Sequence, residues 1–241
     1  MESKARKRSG KMGIPHVLLD ALRPVTVVVG HYGAGKTNFS VNLAVDLAAE
    51  GESVALIDLD VVNPYFRATE QRSLLEERGI DLVAPVFSEA GTSLDVPSLT
   101  GRVAPTIRDA SARDFVIIDA GGDDVGATAL GRFARDVAAG DYAMLYVANR
   151  FRNLVQDPHD AIENLREIEA ASHLNATAVV NNSHLKGATD ASTIAQGVSY
   201  ADEVARLAGL PLVCTTAPQQ LDVQGVDDLY RIQARVKNPW E

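Results

Sequence analysis

A single cysteine, Cys214, stands among 241 residues. That excludes an intramolecular disulfide and, within one chain, any cysteine-only metal or iron–sulfur site. It also fits a reducing cytoplasm, where we expect the protein to reside. No apolar run approaches the ~18 residues needed to span a bilayer, so no membrane partner is expected. The five histidines (His16, His31, His159, His173 and His184) show no metal-binding spacing. No Ser–His–Asp or Cys–His arrangement of a covalent hydrolase is visible. Positive charge is scarce: 23 Lys and Arg stand against 32 Asp and Glu, a net charge of −9. A body this acidic argues against non-specific binding of nucleic acid or anionic membrane. The bases that do occur crowd at the start. Lys4, Arg6, Lys7, Arg8 and Lys11 against Glu2 make that stretch +4 and leave −13 on the remainder. Pro15, His16 and Asp20 follow, too polar for the apolar core of a signal peptide. Residues 1–22 therefore read as a flexible basic tail, or as an arm for an acidic partner, and 23–241 as one domain.

What is present is the balance of a globular domain, with 46% hydrophobic and 23% charged residues. Short apolar runs alternate with longer amphipathic stretches. Strands are expected at 25–29, 54–57, 82–87, 115–118, 143–147, 176–180 and 212–215. Helices are expected at 38–50, 161–171 and 200–208, with a solvated one over 104–113. Gly51 and Gly209 stand where a helix ends. Alternation of this kind implies parallel crossovers. The fold class is α/β: a doubly wound, mostly parallel sheet with helices on both faces.

The strongest signal follows the first strand. Gly30-His31-Tyr32-Gly33-Ala34-Gly35-Lys36-Thr37 fits G-x-x-x-x-G-K-[ST], between a buried strand and an amphipathic helix that opens at Asn38. Glycines let successive N–H groups turn inward around a phosphate, and the helix N-terminus adds partial positive charge. Lys36 can reach the β- and γ-phosphates, and Thr37 offers a hydroxyl to Mg2+. Two strand ends carry carboxylates. The second strand runs into Asp58-Leu59-Asp60, whose acids point to one side and can hold Mg2+ through water or orient an attacking water. The fourth runs into Asp119-Ala120-Gly121-Gly122, an apolar strand closed by an acid that anchors a Mg2+ water shell. Gly122 lets the backbone approach a γ-phosphate. Asn63-Pro64 punctuates a turn, and Arg67 reads as part of a solvated helix.

This set, in this order, resembles the MinD/ParA/CobQ group of P-loop nucleotide-binding proteins with a deviant phosphate loop. The likeness spans nearly the whole chain after the tail. It implies that Asp60 positions the hydrolytic water, that Asp58 supports the metal shell, and that Asn181, at the end of the sixth strand, contacts the base. The group's loop usually reads G-K-G-G-x-G-K-T, and its early lysine serves a nucleotide-dependent dimer. Position 31 is His31 here and Tyr32 replaces a glycine. Asn182 stands where the group often has a basic residue. No N-K-x-D guanine signature is present, so ATP is favoured over GTP. Thr216-Ala217-Pro218 would wall the base, with Pro218 as a contact.

The resemblance thus implies an ATP- and Mg2+-dependent, slow ATPase that acts as a conformational switch on a partner protein, with a nucleotide-dependent homodimer as a further expectation. Three other readings stay open. One is a synthetase or small-molecule kinase of the dethiobiotin synthetase type, with an acceptor pocket lined by 88–105. Another is a binding module that does not hydrolyse. The third is a DNA-partitioning ATPase, which the acidic body opposes.

Overall fold

The computed structural model describes residues 13–60, 71–84, 101–122 and 124–236, without the side chain of Asp124. Expectations for the first twelve residues, Asn63-Pro64, Arg67 and the 88–100 segment lie outside these residues.

The first helix, α1 (His16–Ala21), corrects the expected tail. Leu18 is fully buried, and Ile14, Leu19 and Leu22 are nearly so. Residues 14–22 therefore belong to the folded body. The neighbouring run of basic residues masked this short apolar pattern.

Eight strands then form one sheet: β1 (Val25–Val29), β2 (Val54–Asp58), β3 (Asp81–Val83), β4 (Phe115–Asp119), β5 (Tyr142–Ala148), β6 (Ala178–Asn181), β7 (Leu212–Pro218) and β8 (Leu229–Ile232). Their order is β3-β2-β4-β1-β5-β6-β7-β8, and every pairing is parallel. β1 lies between β4 and β5, so the glycine-rich loop and the Asp119 strand end are neighbours. β8 was not anticipated. It is a four-residue edge strand within a turn-rich stretch, too short for its alternation to stand out.

The helices are α2 (Lys36–Ala49), α3 (Arg72–Glu77), α4 (Val103–Arg108), α5 (Asp124–Gly131), α6 (Ala134–Ala138), α7 (Pro158–Ser172) and α8 (Ala191–Ala208). The stretch expected as a solvated helix over 104–113 is α4 followed by a short 3-10 turn. It buries Val103, Ile107 and Ala110, so one of its faces belongs to the core.

Strand residues alternate between two apolar layers, as a period of two demands. Val27, Ile57, Ile118, Tyr146 and Val179 meet one layer with α7 and α8. Val28, Leu56, Ile117, Leu145 and Val180 meet the other with α1 and α2. α2 is buried nearly all round, with Phe39, Leu43 and Leu47 inaccessible to solvent. α7 starts on Asp157, which accepts from His159 N at 2.8 Å, with Pro158 in its first turn. Asp190 and Thr193 form a reciprocal cap at the start of α8.

Candidate functional site

The site lies at the carboxyl ends of the central strands, where the chain leaves β1, β2, β4, β5, β6 and β7. The period of two sets its composition. Asp58 and Asp119 fall on the α2 side of the sheet and are register partners across β2 and β4. Both are 1% exposed.

Between β1 and α2 the chain wraps as a tight loop. Ala34 N donates to His31 O at 3.1 Å, Phe39 N donates to Gly35 O at 3.0 Å, and Lys36 Nζ reaches back to His31 O at 3.2 Å. Gly35 caps α2 at φ 92°, a left-handed conformation, and any Cβ there would strike the Asn182 amide. Gly122 presses on the same loop: a side chain on it would run into Gly30 O, Lys36 Nζ and the His31 backbone.

The electrostatics are those of a cluster built for a cation and an anion. Burial pushes the Asp119 carboxyl up to about 7. The Thr37 hydroxyl, the Lys36 charge and Ser40 oppose that shift, while Asp60 adds to it. Ser40 Oγ donates to Asp119 Oδ1 at 3.3 Å, while Asp119 Oδ2 is buried with no hydrogen-bond partner among the described residues. A buried acid in that state gains most from a cation. The donor set of Thr37, Asp119 and Asp58 is hard oxygen, which suits Mg2+. Asp60 turns back over Asp58, its N–H donating to Asp58 Oδ1 at 3.1 Å, and its side chain faces the open cavity. Burial lowers the pKa of His31, whose Nδ1 lies 2.9 Å from Tyr32 O, so its ring is neutral at pH 7.

The cavity itself has a volume of about 680 Å3, within the range of small-molecule and cofactor sites. Its floor is the glycine-rich loop with Lys36, Thr37 and Asn38. One flank carries Arg152, Asn182, His184 and Lys186, and the far end carries Thr216, Pro218, Gln220 and the strap 232–236. That strap is tied to α2. Asn38 Oδ1 accepts from Arg235 N and Val236 N, and Asn42 exchanges bonds of 2.9 and 3.0 Å with Gln233 O and N.

Of the residues singled out in sequence, His31, Tyr32, Gly33, Gly35, Lys36, Thr37, Asn38, Asp60 and Pro218 line the cavity. Asp58, Asp119 and Gly122 lie beneath it, and Gly30 and Ala34 form the backbone of the loop. Asn181 does not join them. It shares the face of Val179, donates to Thr215 Oγ1 at 3.3 Å, accepts from Ser183 N, and lies against α8 at Gly197. Asn182, one residue on, takes the cavity face instead. Its Nδ2 donates to Ala34 O at 2.6 Å and its Oδ1 accepts from Thr216. A one-residue step flips the face, and counting along the sequence does not say where the strand's register falls.

In sequence Arg150 and Arg152 follow the fifth strand at its ligand end, where they read as a plain basic loop with an arginine for transferring charge as the sharper alternative, and His184 carries no expectation for the site. Arg152 and His184 come from loops after β5 and β6, more than thirty residues apart, and only the parallel order of those strands joins them. Asn149 Oδ1 links the two loops by accepting from Phe151 N and His184 N.

Residues 25–189 match the CobQ/CobB/MinD/ParA nucleotide-binding domain family. No curated protein matches the chain in sequence. Among solved structures, the chain is similar to chloroplast FtsY from Physcomitrella patens, at 17% identity and a TM-score of 0.54 over 86% of this chain and 61% of that one. It is also similar to the signal recognition particle receptor FtsY from Elizabethkingia anophelis, at 20% identity and a TM-score of 0.50 over 80% of this chain and 58% of that one. The chain thus spans about three fifths of these structures, and the likeness is one of fold. No helix among the described residues is long and apolar enough to cross a membrane.

Proposed function

Because the chain belongs to the CobQ/CobB/MinD/ParA nucleotide-binding domain family, we propose that it binds ATP with Mg2+, hydrolyses it slowly, and uses the change to switch a partner protein. The observation that carries this reading is the meeting of Lys36, Thr37, Asp119 and Asp60 around one cavity at the strand ends.

The choice of adenine rests on the far end of the cavity. A guanine site needs a carboxylate to accept from N1–H and the exocyclic amine. Among the described lining residues Asp60 is the one carboxylate, and it sits at the loop end beside Lys36. Thr216, Pro218, Gln220 and the backbone of 232–234 offer neutral groups and apolar contact. Asn182 holds the loop to β7 through Ala34 and Thr216, so it shapes the pocket rather than reading the base.

In the proposed chemistry the loop N–H groups and Lys36 hold the phosphates and stabilise charge on the transferring group. Asp60 orients the attacking water from the open side. Thr37 and Asp119, with Asp58 behind, would hold Mg2+, which when bound neutralises phosphate charge and orders water. The Gly121–Gly122 backbone, packed on the loop, would feel whether a γ-phosphate is present. A partner, including a second copy of this chain, would meet Tyr32 and Leu154, which stand 55% and 81% exposed and also line the cavity.

The test is phosphate release from ATP and GTP with Mg2+, with nucleotide binding measured separately. Wild type should release phosphate from ATP, Asp60→Ala should bind ATP without releasing it, and Lys36→Ala should not bind. Equal turnover of GTP, or full activity in Asp60→Ala, overturns the assignment.

A further inference from the structure

Arg152 has no assigned task, yet its placement is specific. It lies on the loop after β5 and lines the loop end of the cavity. Its side chain lies across the glycine-rich loop: a Cβ built on Gly33 would sit 3.6 Å from Arg152 Cδ and 3.7 Å from Nε. The Nε atom is buried and makes no hydrogen bond among the described residues. No carboxylate among those residues forms an ion pair with it. Such a group is costly unless something supplies acceptors. The neighbouring groups do not: His184 is held neutral on the next loop, and Lys186 beside it carries a like charge. Burial lowers the pKa of His31 on the glycine-rich loop, so that side chain supplies no anion either.

The loop is also held firmly. Arg152 N donates to Asn149 O at 3.2 Å and Arg150 N donates to Ser183 Oγ at 3.1 Å. Leu154, two residues on, adopts φ 69°, unusual for a leucine and a form of strain that tends to persist at functional loops.

We infer that Arg152 is a cation provided by the chain itself to the terminal phosphates of the bound nucleotide. It contacts the γ-phosphate oxygens and the β–γ bridging oxygen from the side opposite Asp60. This rests on the nucleotide reading above. In the hydrolysis it would assist, water oxygen bonds to the γ-phosphorus and the bond to the β–γ bridging oxygen breaks. ADP departs with that electron pair. One water proton stays on the phosphate and the other goes to solvent. Negative charge grows on the bridging oxygen, and a planar guanidinium held there stabilises that growth more than it stabilises the ground state.

The experiment compares the affinity of full-length protein for ADP and for ADP with aluminium fluoride, a mimic of the transferring phosphate, in Mg2+ buffer. Wild type, Arg152→Ala, Arg152→Lys and the neighbour Arg150→Ala are measured, with kcat per chain at several protein concentrations. Arg152→Ala should keep ADP affinity within about threefold, lose about 100-fold or more of the gain from aluminium fluoride, and lose kcat in proportion. Arg152→Lys should recover part of both, and Arg150→Ala should match wild type. Wild-type kcat per chain should not depend on concentration. The inference is overturned if Arg152→Ala keeps the aluminium fluoride gain, or loses ADP affinity and thermal stability to the same degree, as a packing role would require. It is overturned too if activity per chain rises with concentration and a mixture of Arg152→Ala with Lys36→Ala recovers it, since the cation would then come from a partner copy. Failure of wild type to bind ADP at all would instead sink the nucleotide reading itself.

Discussion

Lowering the pH from 7.5 to 5.0 should weaken the nucleotide-free protein through one histidine in particular. His184 is held against Gly35 and near Arg152, and its Nδ1 accepts from Lys186 N at 3.2 Å, which requires the unprotonated nitrogen. Burial first, then the Arg152 and Lys186 charges, lowers its pKa to about 4. In the unfolded chain it titrates near 6.5. Between those values the unfolded chain binds the proton and the folded chain does not. Stability from this group is therefore complete above about 6.5, falls as pH drops through the window, and is flat below about 4. Over the interval from pH 7.5 to 5.0 the loss is about 2 kcal/mol. Other groups titrate there as well, so the assay is a difference. Urea unfolding of wild type and of His184→Asn, which retains an acceptor for Lys186 N, is followed at half-unit steps. The wild-type curve should approach or cross below that of the variant toward acid by about that amount. Parallel curves within about 0.5 kcal/mol, or a His184 ring resonance that titrates above 6 in the folded protein, would refute the reasoning.

Three further outcomes follow from the packing around the cavity. Gly35→Ala places a methyl group against the Asn182 amide at a left-handed backbone position, so it should cost more than about 1 kcal/mol in thermal or urea unfolding and abolish nucleotide binding. Asn42→Ala removes the paired bonds to Gln233 and the contact with Arg235; it should cost about 1–3 kcal/mol and weaken binding of adenosine and ATP by similar factors, since the freed strap walls the base end. Tyr230→Phe removes the 2.7 Å bond to Asp46 from a fully buried ring, so urea unfolding should show a loss of about 1–3 kcal/mol with nucleotide affinity unchanged.

Much of this was legible because local pattern and chemistry coincide in a few places. β1 is five β-branched residues followed at once by glycines, lysine and threonine, so the buried strand and the glycine-rich loop can both be read from one short stretch. The acids at 58, 60 and 119 could be placed at one end of the sheet from the ends of their strands alone. Three features could not be read. The faces of Asn181 and Asn182 depend on register, and β6 meets β7 with a shift at Val179–Val180. Residues 14–22 join the folded body through three leucines and an isoleucine that pack in the layer under β7, far off in sequence. Arg152 and His184 stand in loops with no motif, and their proximity comes from β5 and β6 being adjacent.

We propose the cavity above Lys36 as an adenine nucleotide site. Calorimetric titration of ATP and of GTP, each with Mg2+, into wild type and Lys36→Ala tests it most directly. One ATP should bind per chain, with GTP at least about tenfold weaker (about 1.4 kcal/mol) and no measurable heat of binding in the variant. Equal affinity for the two nucleotides, or ATP binding that survives the loss of Lys36, would contradict the proposal.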